Sequence, residues 1–287
     1  LIQFVLNYYS DVGIVMETHS LSDTEAMSST EVTRFLRLLA DTSRQAIVRL
    51  LARSDRRASE IGAVVRLPPN AVSYHLKQLR DLGVLHDRRS SADARDVYYQ
   101  LDIGRLFALY AAAGDALYPG MSVPLGQPDE QRDTPHGLSR PLRVLFLCTH
   151  NSARSQMAEA ILRQMGGDQV EAFSAGSLPT EVHSEALATL REVGIDASGL
   201  SAKSLERFIG EPLDYIITVC DRVRDICPSF PGDPAQAHWS IADPAVVEDP
   251  EQRAKAFREV LSELQVRIRY LLLLPHPGTG ERFHSLR

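Results

Sequence analysis

The stretch RVLFLCTHNSARSQMAEAIL, residues 143–162, decides how the second half of this chain folds. An apolar run ends at Cys148, a short polar loop follows, and Arg154 and Ser155 open a helical pattern. A strand, a loop and a helix N-terminus in that order make an oxyanion cradle. The backbone N–H groups of Thr149, His150, Asn151, Ser152, Ala153, Arg154 and Ser155 can turn inward as a nest. The helix N-terminus adds the positive end of its dipole, and Arg154 offers a planar fork to two oxygens. The same field is expected to lower the Cys148 pKa and give a thiolate. The stretch leaves open what that thiolate does to the oxyanion.

Downstream, strand and helix patterns alternate. RVLFLC, VEAFSAG, LDYIITVC and AHWSI read as strands, RSQMAEAILRQM and HSEALATLREVG as helices, and residues 249–274 as a long terminal helix. This predicts an α/β domain with a parallel four-stranded sheet flanked by helices. Upstream the pattern is mainly helical, with strand, polar turn and strand over residues 84–102 and a last helix, IGRLFALYAAAGDALY, after them. TEVTRFLRLLA is amphipathic, with Val32, Phe35, Leu36 and Leu39 assigned to one face. Two short helices and a basic hairpin form a winged helix-turn-helix, a DNA-reading arrangement. Asn70, Ser73, Tyr74, His75, Lys77 and Gln78 are expected on the face of the recognition helix. Arg88, Arg89 and Arg95 of the hairpin suit phosphate contact.

Residues 1–28 are expected to be poorly ordered or to lie beyond the true start, residues 29–118 to form the DNA-binding and dimerisation domain, and residues 119–140 to link it to a domain over 141–287. The net charge of −6 is unevenly spread: residues 31–100 carry +5 and residues 141–287 carry −5. No apolar run reaches the roughly 18 residues that span a bilayer, and the first residues, without a basic stretch, are not expected to act as a secretory signal. The three cysteines, Cys148, Cys220 and Cys227, suit working thiols in a cytoplasmic protein better than a disulfide framework.

LLADTSRQAIVRLLA, NAVSYHLKQLRDLGVLHDRR and DVYYQLD resemble the ArsR/SmtB family of winged-helix repressors over roughly residues 31–115. The resemblance implies a homodimer paired through the first and last helices, bound to double-stranded operator DNA. The arsenic-sensing Cys-x-Cys of that family is missing, so As(III), which needs soft thiolate ligands, has no such seat in the front half.

The cradle and its surroundings, residues 141–275, resemble the low-molecular-weight tyrosine phosphatase fold, which thioredoxin-coupled arsenate reductases share. The resemblance implies nucleophilic attack by Cys148, with Asp243 in SIADPAV as the acid for the leaving oxygen. Three features favour the reductases: Ala245 where phosphatases carry an aromatic, Gln156 where they carry proline, and Cys220 with Cys227 in TVCDRVRDICP. The implied catalytic set is Cys148, Arg154, Ser155, Cys220, Cys227 and Asp243. It converts arsenate to arsenite by a thiol relay, with no tightly bound cofactor and external thioredoxin as reductant. A phosphotyrosine phosphatase, or a regulator whose back half only senses arsenic, remains the alternative.

Some reductases of this kind bind potassium through an Asn, a Glu, a Ser and an Asp. Asn151, Glu159 and Ser174 match three of these positions, and Lys203 takes the place of the fourth. The Lys203 ammonium is therefore expected to replace the ion, leaving no metal site. A helical 220–227 segment would hold its cysteines about 10 Å apart. A disulfide needs Cα atoms within about 7 Å, so the segment is expected to unwind on oxidation.

Overall fold

The computed structural model describes residues 29–117 and 140–273. The expectations for residues 1–28 and for nearly all of the linker lie outside the described residues.

The front half runs α1 (Ser29–Leu39), α2 (Thr42–Leu51), β1 (Arg56–Arg57), α3 (Ala58–Val65), α4 (Pro69–Arg80), β2 (Leu85–Arg89), β3 (Val97–Leu101) and α5 (Ile103–Leu117). Asp41 caps α2, its carboxylate accepting from the Arg44 amide at 2.9 Å. Pro69 starts α4, where its missing N–H costs nothing. Val72, Leu76 and Leu79 face inward from α4, as their spacing predicts, against Phe35, Ile47 and Ile61. Leu36 corrects the assigned face of α1: it is exposed, and Leu38 is buried instead. Leu36 sits one residue, about 100°, round the helix from fully buried Phe35. Gly83, at φ +74°, turns the chain out of α4 toward β2.

The back half runs β4 (Leu142–Cys148), α6 (Arg154–Gly166), β5 (Val170–Gly176), α7 (Ser184–Glu192), β6 (Tyr215–Thr218), α8 (Asp221–Ile226), β7 (Ala235–His238) and α9 (Pro250–Leu273). The four strands are all parallel, in the order β5-β4-β6-β7. The last strand ends earlier than AHWSI predicts: pairing stops at His238, and Trp239–Ile241 lead out of the sheet toward Asp243. β4 is buried almost throughout, as expected of a strand covered on both faces. The chain leaves it toward β5 on one side and returns as β6 on the other. That reversal opens a crevice at the carboxyl ends of the strands, where α/β sheets bind ligands.

The two halves are docked. The Asp55 amide donates to the His238 carbonyl at 2.7 Å, and the His238 amide to Ser54 Oγ at 2.9 Å. Arg267 of α9 grips the buried Asp55 carboxylate through both Nη atoms, at 3.0 and 3.1 Å. Tyr270 packs its ring 5.2 Å from that of Phe107 on α5. Removing one partner from a buried pair such as Asp55–Arg267 typically costs about 3–5 kcal/mol, so this contact fixes how the halves meet.

Candidate active site and the domain contact

Cys148 ends β4 and lies buried at the mouth of the crevice. The loop after it wraps back on the sulfur. The Asn151 amide donates to Cys148 Sγ at 3.1 Å, and Ser155 Oγ lies 2.9 Å from it. Asn151 Nδ2 donates to the same Ser155 oxygen at 2.9 Å, which leaves the hydroxyl proton free to turn to the sulfur once Cys148 is a thiolate. Asn151 adopts the left-handed backbone, φ +48°, a conformation Asn tolerates better than most residues.

The loop carbonyls point away from the sulfur. Those of Thr149, His150 and Ser152 accept from the amides of Leu178, Thr180 and His183 at 2.9, 2.9 and 2.8 Å. The Asn151 carbonyl accepts from Gln156 Nε2 at 3.0 Å. In a planar trans peptide C=O and N–H point opposite ways, so outward carbonyls turn the following amides inward. Gly176 lets this happen: a Cβ there would sit 2.7 Å from the Thr149 oxygen and 2.8 Å from the Asn151 nitrogen.

Arg154, the first residue of α6, is 7% exposed. Its Nη1 donates to the Ile241 carbonyl at 2.9 Å and its Nη2 to Asp243 Oδ2 at 2.7 Å. The fork therefore gathers Asp243 to the cradle while retaining its planar face. The other oxygen, Asp243 Oδ1, accepts from the Ala245 amide at 3.2 Å and caps the turn that follows.

Cys220 is buried beside the loop, its sulfur 3.4 Å from Thr149 Oγ1. Cys227 stands half-buried past the other end of α8. The pKa expectation for Cys148 is corrected: burial and the neighbouring Cys220 push its thiol up, while Ser155, Arg154 and the Asn151 amide oppose them. The sulfur is so enclosed that desolvation outweighs its donors. Burial alone pushes Cys227 up to about 11.

Behind the loop the side chains of Asn151, Ser155, Ser174, Glu159 and Lys203 form one chain of hydrogen bonds. Asn151 Nδ2 donates to Ser174 Oγ at 2.8 Å, and Ser174 donates to Glu159 at 2.5 Å. Lys203 Nζ donates to Glu159 at 3.0 Å, and the Lys203 amide to Asn151 Oδ1 at 2.7 Å. The ammonium thus occupies the carboxylate that a cation would seek. Among the described residues no group of three or more His, Cys, Asp or Glu is arranged to hold a metal ion.

Comparison with known proteins places this arrangement. Residues 143–276 match the family model for low molecular weight phosphotyrosine protein phosphatase, and residues 41–87 match that for bacterial regulatory protein, arsR family. An arsenate reductase of Halalkalibacterium halodurans is 35% identical over 127 residues, covering 44% of this chain and 91% of that protein. The chain belongs to the arsenate reductase family. An arsenate reductase of Brevibacillus brevis is 37% identical over 126 residues, covering 44% of this chain and 90% of its own. A solved arsenate reductase in oxidized state is similar at 29% identity and a TM-score of 0.41, covering 46% of this chain and 96% of its own. The thioredoxin-dependent arsenate reductase of Corynebacterium glutamicum, at 25% identity and a TM-score of 0.37, covers 75% of this chain and 92% of its own. The protein is thus an arsR-type helix-turn-helix domain joined to a reductase domain.

The DNA-facing residues expected of the arsR-type domain divide into two groups. Asn70, Ser73, Tyr74 and Lys77 are exposed along α4, with Gln78 and His75 partly covered. Lys77 pairs with Asp81 at 2.5 Å, and His75 Nδ1 lies 3.9 Å from Asp41. Arg89 and Arg95 are exposed on the wing, Arg95 paired with Asp93 at 2.6 Å. Arg88 corrects the expectation of phosphate contact: it is turned to the reductase domain. Its Nε donates to the Ser240 carbonyl at 2.7 Å and its Nη2 to Asp221 Oδ2 at 2.6 Å. The alternation of β2 sends Arg88 and Arg89 to opposite faces, and a buried carboxylate attracts a guanidinium more strongly than solvent does.

Asp221, His238, Ser240, Asp55 and Arg267 escaped the sequence reading. Their signal was weak: Arg267 is a charge among Leu264, Ile268 and Leu271 on the apolar stripe of a helix, and Asp55 is one acid in a basic stretch.

Proposed function

We propose that this chain reduces arsenate to arsenite by a three-thiol relay, and that its arsR-type domain holds it on operator DNA as a homodimer. The carrying observation is the convergence of two thiols on one loop, Cys148 within it and Cys220 against Thr149, with Cys227 one short helix away.

In the first step arsenate, held by the inward amides and Arg154, takes the proton of the Cys148 thiol, and the resulting thiolate attacks arsenic(V). A bound oxyanion supplies negative charge for Arg154 to share with Asp243, and a proton from Asp243 leaves with the departing oxygen as water. Cys220 then attacks Cys148 Sγ. The S–As bond breaks, its electron pair stays on arsenic, and arsenite departs, leaving a 148–220 disulfide. Cys227 attacks Cys220 and releases Cys148 as a thiolate. A dithiol of the thioredoxin class finally supplies two electrons and two protons to the 220–227 disulfide. Phosphorus(V) is not readily reduced in this way, so phosphate turnover has no step that uses the second and third thiols.

Exposed Asn70, Ser73, Tyr74 and Lys77 on α4 support base and backbone contact, with Arg89 and Arg95 placed for phosphate. Dimerisation is supported by the apolar side chains left exposed on α1 and α5, Leu36 and Tyr110. The deciding experiment is an arsenate reduction assay with and without thioredoxin, on wild type and on Cys220→Ser. Turnover that needs thioredoxin and stops in the variant is expected. A wild type inert toward arsenate but fast on aryl phosphates overturns the proposal.

A further inference from the structure

α8 joins the two relay thiols, yet the groups that hold it come largely from the arsR-type domain. Asp221, its first residue, directly follows Cys220 and has no exposed side-chain surface. Its carboxylate accepts from Arg88 Nη2 at 2.6 Å, from the Ser91 amide at 2.7 Å and from Ser91 Oγ at 2.9 Å, all on the wing. Ser240 Oγ at 2.6 Å and His238 Nε2 at 3.1 Å complete its shell from the reductase side. These donors hold the Asp221 carboxyl well below the usual carboxylate range despite its burial. One turn on, Arg224 bonds Glu60 of α3 at 2.7 Å and lies over the Tyr98 ring of β3 at 5.0 Å.

A helix of six residues is far too short to persist on its own. It is held here through buried Asp221 at its first residue, through Val223 in the core, and through half-buried Arg224 one turn on from Asp221. As long as it is helical, its flanking cysteines stand about 10 Å apart, beyond disulfide reach. Closing the 220–227 disulfide must therefore move Asp221, Arg224 or both away from their partners.

We infer that Arg88 and Ser91, acting through Asp221, and Glu60, acting through Arg224, are positioning residues of the thiol relay: the wing clamps α8 in the dithiol form and is released when the pair oxidises. The inference rests on the relay proposed above. It makes the wing and the disulfide compete for one segment, so each affects the other's equilibrium by the same factor. While the thiols are reduced, Arg88 is withheld from DNA; once they are oxidised, it returns to the wing surface.

The test is a redox titration of full-length Cys148→Ser, in which only Cys220 and Cys227 exchange with glutathione. One oxidised glutathione takes two electrons and two protons from the dithiol, giving the protein disulfide and two reduced glutathiones. Adding Arg88→Met should favour the disulfide about tenfold, moving the potential about 30 mV more negative, and Arg88→Lys should recover part of the shift. Ser91→Ala, a milder change, should move it the same way. Hydrogen exchange should show the Ser91 amide and the strands of the wing protected in the dithiol form and faster in the disulfide form. Coincident potentials for the parent, Arg88→Met and Ser91→Ala, or wing exchange unaffected by oxidation, overturn the clamp while leaving the relay standing. If the parent forms no 220–227 disulfide at all, relay and clamp fall together.

Discussion

The Lys203 ammonium lies 3.0 Å from a Glu159 carboxylate whose side chain is 4% exposed, directly behind the loop that carries Cys148. A positive charge tethered by the chain thereby stands against an acid buried under the cradle. Through Ser174 and Asn151 this pair sets the orientation of Ser155, which touches the nucleophile. Turnover should be the same in sodium and potassium buffers. Lys203→Met should lower unfolding stability by about 1.5–3 kcal/mol, the usual worth of a hydrogen bond to a charged group, since Arg163 and Ser174 still meet Glu159. Parallel assays in the two salts and a urea titration check both. Strong activation of the wild type by potassium would show that the ammonium does not replace the ion.

Gly176 is where β5 meets the loop. A methyl group at this position collides with the Thr149 and Asn151 backbones, neither of which can rotate aside. Gly176→Ala should fold, because the clash is local, but should lose about a hundredfold in kcat as the loop shifts by a fraction of an ångström. Circular dichroism beside steady-state kinetics separates the two effects. An unchanged kcat would show that the loop tolerates displacement.

Arg154 bonds Asp243 and Ile241 through separate nitrogens of one planar group. Lysine keeps the charge but not the fork. Arg154→Lys should raise the arsenate KM and lower kcat, together about 10²–10³-fold in kcat/KM, in line with loss of one oriented donor to a developing oxyanion. Asp243→Asn should instead lower kcat with little change in KM, since it removes the proton and not the cradle. Michaelis curves for both variants test this division.

Cys227 is pushed up to about 11 by burial, so at neutral pH it is a thiol in the helical form. The neutral form is favoured until pH rises through that value, so reactivity increases with pH. In Cys148→Ser/Cys220→Ser, iodoacetamide labelling of Cys227 should climb about tenfold per pH unit and level off near 11. In urea the plateau should begin near the ordinary thiol value of about 8.5. A native profile that levels off near 8.5 would mean that Cys227 is already uncovered.

Much of this arrangement was legible along the chain because it is local. The cradle from Cys148 to Ser155 is contiguous, and its strand and helix follow from periodicity. Cys220 and Cys227 stand out because their segment resembles the redox pair of arsenate reductases, and the winged helix follows from the apolar positions of α4 and the basic hairpin. AHWSI misled because apolar Trp239 and Ile241 are buried as the chain leaves the sheet. Leu36 misled because amphipathic spacing fixes a helix face only to within one residue.

By itself the sequence determined the two folds, the thiols and the oxyanion loop, since each depends on neighbours along the chain. Only the tertiary structure decided where the charges of the wing go. Arg88 lies 133 residues from Asp221, and nothing in either local pattern distinguishes Arg88 from Arg89. Burying Asp221 without donors would be prohibitive, and its Oδ2 finds the Arg88 guanidinium and the Ser91 amide and hydroxyl in the other domain. That requirement of long-range charge satisfaction, invisible to periodicity, joins the helix between Cys220 and Cys227 to the wing.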